Sequence, residues 1–166
     1  MKDFYLAQLE REAPLTRRAL ERVPEGQADW KPHDKSMALG NLSSLVSTMP
    51  GWIAMMINQD ELDLNPPGGS SYRPALPRDN RELLQALDDS VAKGSEALRK
   101  TTDEHLLTPW RLLVAQKVVV QNPRHVFLSD TFTHLAHHRG QLTVYLRLRG
   151  VAVPSIYGPT ADDARF

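Results

Sequence analysis

The chain has 166 residues, with 20 Lys and Arg balanced by 20 Asp and Glu, six His and no Cys. At this length one domain is the default, and a globular chain removes about 70% of its unfolded surface from water, enough for a core without metal or disulfide staples. Zero net charge and scattered basic residues argue against a nucleic-acid surface, and the lack of Cys excludes disulfides, thiolate metal sites and a Cys nucleophile.

No apolar run approaches the ~20 residues of a membrane span. The N-terminus opens on Lys2, Asp3, Glu10, Arg11 and Glu12, without a signal-peptide pattern. The expectation is a soluble, cytoplasmic protein with no membrane or nucleic-acid partner.

Residues 2–22 carry Phe4, Tyr5, Leu9, Leu15, Ala19 and Leu20 at spacings near 3.6 and stop before Val23-Pro24-Glu25-Gly26. They predict a long amphipathic helix with Pro14 as its one blemish. A polar loop from Ala28 to Ser36 leads into a second helical segment, with Leu39, Leu42, Leu45, Val46, Met49, Ile53, Met56 and Ile57 on one side. Pro50-Gly51 falls inside it and predicts a kink.

Asn65-Pro66-Pro67-Gly68-Gly69-Ser70-Ser71 is a loop by composition, extended by Pro74 and Pro77 to residue 78. A third helix follows, capped by Asp79 or Asn80 and running through Leu83, Leu84, Leu87, Val91 and Leu98 to Lys100. In residues 108–121, Val118-Val119-Val120 favours extended chain, and an irregular or short hairpin crossover is expected. The fourth helix starts near Pro123 and runs to Arg149, with Gly150 as its C′ residue and Pro154 beyond. Four helices of about 20–27 residues and no regular strand alternation predict an all-α four-helix bundle with a long crossover before helix four. The tail from Val151 to Pro159 is apolar enough to pack back onto it.

The fourth helix carries the chemistry. His134 and His138, at i and i+4, differ by about 40° around the axis and lie about 6 Å apart along it. Two imidazoles so placed can reach one ion at nitrogen distances near 2.0–2.1 Å. They share a stripe with Phe127, Thr131, Leu142 and Tyr145, which points them into the bundle. His137 falls on the flank, and His125 is about 180° round and cannot join them. Alone, HxxxH is a weak signal, and its plain reading is two core histidines that hydrogen-bond across the bundle. A metal site needs a third ligand, and Asp130, about 12 Å along the axis from His138, can orient His134 but not complete the set.

The run His134-Leu135-Ala136-His137-His138-Arg139-Gly140-Gln141-Leu142-Thr143-Val144-Tyr145-Leu146-Arg147, followed by Gly150-Val151-Ala152-Val153-Pro154-Ser155-Ile156-Tyr157-Gly158-Pro159, resembles the end of proteins of the DinB/YfiT-like superfamily. Asp29-Trp30-Lys31-Pro32-His33, Lys35-Ser36-Met37 and Pro50-Gly51-Trp52 fit the family's first half, so the resemblance covers essentially the whole chain. It implies an up-down-down-up four-helix bundle, usually a homodimer, with a divalent metal held by one His of helix two and the HxxxH pair of helix four. Relatives include metal-dependent enzymes that use low-molecular-weight thiols.

Carried over, His134 and His138 match two of the three ligands. The helix-two His falls on Leu45, and Asn41-Leu42-Ser43-Ser44-Leu45-Val46-Ser47-Thr48 contains no His, Asp or Glu. Zn²⁺ or Ni²⁺ on two His and water would be weakly held. His33 is the one nearby substitute, and Ser44, Ser47 and Thr48 offer only neutral oxygens.

Arg139 and Gln141 are candidates for an anionic substrate, with a surface ion pair as the other reading of Arg139. Trp30, Trp52 and Trp110 read as core or interface anchors, Met49, Met55 and Met56 as core or dimer contacts, and Tyr145 as a substrate contact or an internally satisfied hydroxyl. Two functions stand. One is a metal-dependent, thiol-using transferase with a degenerate site at His134 and His138. The other is a metal-free, non-catalytic, dimeric binding module that has lost the site.

Overall fold

A computed structural model describes residues 1–69 and 76–165. The middle of the predicted Pro/Gly loop, with Ser70, Ser71 and Pro74, lies outside the described residues. Helix α1 spans Lys2–Leu20 and runs through Pro14 without a break. Its buried face consists of Tyr5, Leu9, Thr16, Ala19 and Leu20, together with one carboxylate, Glu12.

The second helical segment divides into α2 (Leu39–Thr48), a 3-10 turn (Met49–Gly51) and α3 (Trp52–Asn58). Pro50 lacks the N–H for the carbonyl four residues back and its ring crowds that carbonyl, so the predicted kink becomes a change of helix type. Helix α4 spans Asn80–Lys100, and the Asp79 carboxylate caps it by accepting from the Glu82 N–H at 2.8 Å. A short helix α5 (Asp103–Leu106) precedes the crossover, and α6 spans Arg124–Leu148. Beyond α6, Gly150 turns at φ +70°. Its N–H bonds the Arg147 carbonyl and that of Val151 the Leu146 carbonyl, both at 3.0 Å. This pairing is a Schellman closure that a glycine at C′ permits.

The expectation of an all-α chain is corrected. The protein is mostly helical but carries a three-stranded sheet in the order β1-β2-β3, built from Glu61–Asp63, Pro109–Val114 and Lys117–Pro123. β1 pairs parallel with β2, and β2 antiparallel with β3. The two-residue turn between β2 and β3 puts Ala115 at φ 49° and Gln116 at φ 64°. This is the left-handed geometry that Asn-Gly ordinarily supplies. The crossover is thus a short hairpin, with a bulge where the register shifts between Leu112 and Leu113.

The core runs along the helices as two successive clusters. One gathers Tyr5, Leu9, Ile53, Trp110, Phe127 and Phe132 among others, and the second gathers Leu20, Leu42, Met49, Leu87, Leu135 and Leu142. Between them, α4 lies close against the 3-10 turn. A Cβ on Gly94 would sit 2.8 Å from the Pro50 carbonyl oxygen and 3.2 Å from Leu9 Cδ2. In a free helix Gly94→Ala gains about 1 kcal/mol of propensity. Here overpacking against backbone costs about 1–3 kcal/mol. The substitution should therefore lower the urea midpoint at constant slope, and a raised midpoint would show that the turn yields freely.

Candidate functional site

Helix α6 buries Phe127, Leu128, Thr131, Phe132, Leu135, Leu142 and Leu146 along the face set against α1, α2 and α3. His134 and His138 lie at the edge of that face. His134 is exposed and His138 half-buried, so the expectation that both point into the bundle is corrected. One helical turn brings their Nε2 atoms to 2.8 Å from each other, with ring centroids 4.6 Å apart. The Trp52 indole, first residue of α3 after the Pro50 kink, packs on His134 at 5.5 Å between ring centroids. His137 is exposed and meets His138 edge-on at 5.0 Å.

Gln141 Oε1 lies 2.7 Å from His138 Nδ1. With that oxygen accepting, His138 carries its proton on Nδ1, and its Nε2 lone pair accepts from the Nε2–H of His134. Desolvation of the ring and the neighbouring His138 and His137 hold the His134 pKa below its usual value of 6.5. His134 thus favours the neutral form in which one ring nitrogen donates to His138.

Leu45 is half-buried on α2 and packs against the cluster that contains Leu135 and Leu142 of α6. The Nδ1 of His33 accepts from the Lys35 N–H at 3.1 Å within its own loop. Among the described residues no group of three or more His, Asp or Glu is placed to hold a metal ion. The donor set is therefore two imidazoles, which does not fit a three-ligand centre.

Arg139 reads as a candidate anion ligand or surface pair, and the structure corrects both. Its side chain is 1% exposed and pairs with the Glu12 carboxylate at 2.6 Å. It also donates to Thr16 Oγ1 at 2.8 Å, to the Glu12 carbonyl at 3.3 Å and to the Tyr157 hydroxyl. Tyr157 in turn donates to Glu12 Oε2 at 2.7 Å, which fastens the C-terminal tail to α1 and α6. Tyr145 donates to the Met37 carbonyl at 3.2 Å, the internally satisfied alternative. Trp110, Met49 and Met56 are core residues.

Two charged clusters escaped sequence reasoning, the Glu12–Arg139–Tyr157 group and a buried Arg124 bonded to Asp60 and His105. Charged residues in helical sequence read as solvated, and no spacing rule links positions so far apart.

Among the described residues no helix is long and apolar enough to cross a membrane. A DinB-like protein from Bacillus cereus ATCC 10987 superposes on the chain with a TM-score of 0.70 at 21% identity, covering 92% of this chain and 95% of its own. A DinB-like protein from Bacillus subtilis, YjoA, does so with a TM-score of 0.64 at 18% identity, covering 88% and 92% respectively. The uncharacterized protein YrdA of Bacillus subtilis strain 168 is 34% identical over 87 residues, which span 49% of this chain and half of that relative's length. The sequence profile of the DinB family matches residues 1–165, and the chain belongs to that family.

Proposed function

We propose that this DinB protein is a non-catalytic, homodimeric binding module on an up-down-down-up four-helix bundle, cytoplasmic, with a degenerate metal site. The single observation that carries this is the hydrophobic Leu45 where the third ligand would stand, next to a histidine pair whose inner nitrogens bond each other at 2.8 Å. Two imidazoles that hydrogen-bond each other satisfy their inner nitrogens without an ion. The apolar outer edge of β3, with Val118, Val119 and Val120 41–53% exposed, supports a second copy as partner.

A second reading rests on the same distance. Two nitrogens held about 2.1 Å from a tetrahedral ion stand about 3.4 Å apart, so a small ring rotation would let His134 and His138 share one, with water or a small thiol completing the shell. This is the weak form of the thiol-dependent transferase, holding Zn²⁺ or Ni²⁺ only loosely.

Elemental analysis of untagged protein, beside calorimetric titration with zinc and nickel, separates the two. The expected result is far less than one metal per chain and weak isotherms abolished by His134→Ala. Near-stoichiometric zinc or nickel surviving gel filtration would overturn the metal-free reading.

A further inference from the structure

At the end of the protein that carries the sheet, an open cavity of about 470 Å³ is lined by Asp60, His105, Thr108, Arg111, Gln121 and Arg124. Its innermost charge is Arg124, the first residue of α6, whose side chain is 2% exposed. The guanidinium is fixed on two sides, donating from Nη1 to the Pro109 carbonyl at 2.8 Å and from Nε to His105 Nε2 at 3.0 Å. A buried cation of this kind requires an anion.

The anion present is Asp60, and it makes a poor permanent partner. Its side chain is 83% exposed, and one of its oxygens meets one nitrogen, Nη2, at 2.5 Å. Guanidinium and carboxylate pair best through two parallel bonds, and here Asp60 takes only Nη2 while the adjacent Nε goes to the neutral ring of His105. Apart from Asp60 and Pro109, the lining consists of two guanidiniums, an imidazole, a hydroxyl and an amide. Arg111 stands near the rim, paired with Glu61 at 2.6 Å and about half exposed.

His105 shows that the cavity wall does not satisfy itself. Its Nε2 lies 3.0 Å from the Arg124 Nε–H and 2.8 Å from the Ile57 carbonyl oxygen. One ring nitrogen either accepts from the first or donates to the second. In either tautomer one partly buried polar group lacks a partner, and a ligand oxygen bonded to Arg124 would release His105 to serve Ile57.

We propose that this cavity is a binding site for a small organic carboxylate, which takes the place of the Asp60 side chain on Arg124. Asp60 acts as an internal stand-in that neutralises the buried cation until ligand arrives and swings into water when it does. The site is separate from the histidine pair and independent of any metal.

The test is an NMR titration of ¹⁵N-labelled protein with succinate, run beside inorganic phosphate and sodium chloride at matched ionic strength, with EDTA present. Saturable shifts at the Arg111 and Gln121 amides are expected with succinate, unchanged in His134→Ala. Asp60→Asn removes the internal competitor and should tighten succinate at least ~10-fold, because the competent fraction of the site rises toward one. Arg111→Gln should weaken it severalfold. If Asp60→Asn does not fold, the comparison of wild type with Arg111→Gln decides, and equal affinities overturn the proposal. So does a folded Asp60→Asn that binds no tighter than wild type, an absence of saturation, or phosphate binding as tightly as succinate.

Discussion

Glu12→Ala should cost about 3–5 kcal/mol, the loss that follows when one partner of a buried ion pair is removed and the other charge stays behind. The Glu12 and Arg139 side chains are 4% and 1% exposed, and Arg139 Nε already lacks a partner among the described residues. Without the carboxylate, Arg139 retains only Thr16, the Glu12 backbone carbonyl and the Tyr157 hydroxyl, and Tyr157 loses its acceptor. Against a total stability of about 5–15 kcal/mol for a domain, such a loss is large. The tail should loosen along with it, so limited proteolysis between Gly150 and Arg165 should quicken in the variant. Removing both charges, as in Glu12→Met with Arg139→Met, should recover most of the stability, because two apolar side chains leave no orphaned ion. Urea unfolding of Glu12→Met, Arg139→Met and the double variant closes the cycle, and additive losses would show that the two residues do not act as a pair.

The same pair sets an acid limit. Burial alone would raise the Glu12 pKa, but hydrogen bonds from Arg139, Tyr157 and Arg11 and the Arg139 charge outweigh it and hold the carboxyl below its ordinary 4.5. A group whose folded pKa is depressed stabilises the protein fully above the unfolded value and loses that contribution as pH falls through the folded one. The gap between wild type and Glu12→Gln should therefore be constant above pH 4.5 and shrink below it.

Much of this architecture was legible where local chemistry decides it. The Asp79 cap, the Pro50 kink and the Gly150 closure each depend on one residue and its neighbours, and each stands where the sequence placed it. The HxxxH spacing likewise fixed how His134 and His138 meet, because helix geometry alone sets it. Their exposure was misjudged, since a position at the edge of a helical stripe is assigned inward or outward by the packing of its neighbours. The sheet was harder. β1 has three residues, and its partner β2 begins 46 positions beyond its end, while the hairpin turns on Ala115-Gln116, which carries no turn signature. Arg139 shows the remaining blind spot, because its burial follows from Glu12 on another helix and Tyr157 in the tail, and a single helix pattern contains neither.

Leu45→His should raise the affinity for metal, with zinc binding at least ~10²-fold tighter than wild type. Leu45 packs on the cluster that joins α2 to α6, and Trp52, which shares that cluster, touches His134. An imidazole at position 45 would add a third nitrogen from a facing helix and leave a fourth position open, the arrangement of a catalytic zinc centre. The metal-free variant should be less stable by about 1–3 kcal/mol, because a polar ring replaces a packed leucine. Zinc should restore and exceed that loss by binding the folded state alone. Thermal unfolding with zinc and with EDTA reads both effects, and calorimetry gives the affinity. Leu45→Ala is the control, since it opens the same space without a ligand and should gain nothing. If Leu45→His folds and binds zinc no better than wild type, position 45 does not face the pair. The separation of α2 from the exposed edge of α6 would then be too great for a shared ion.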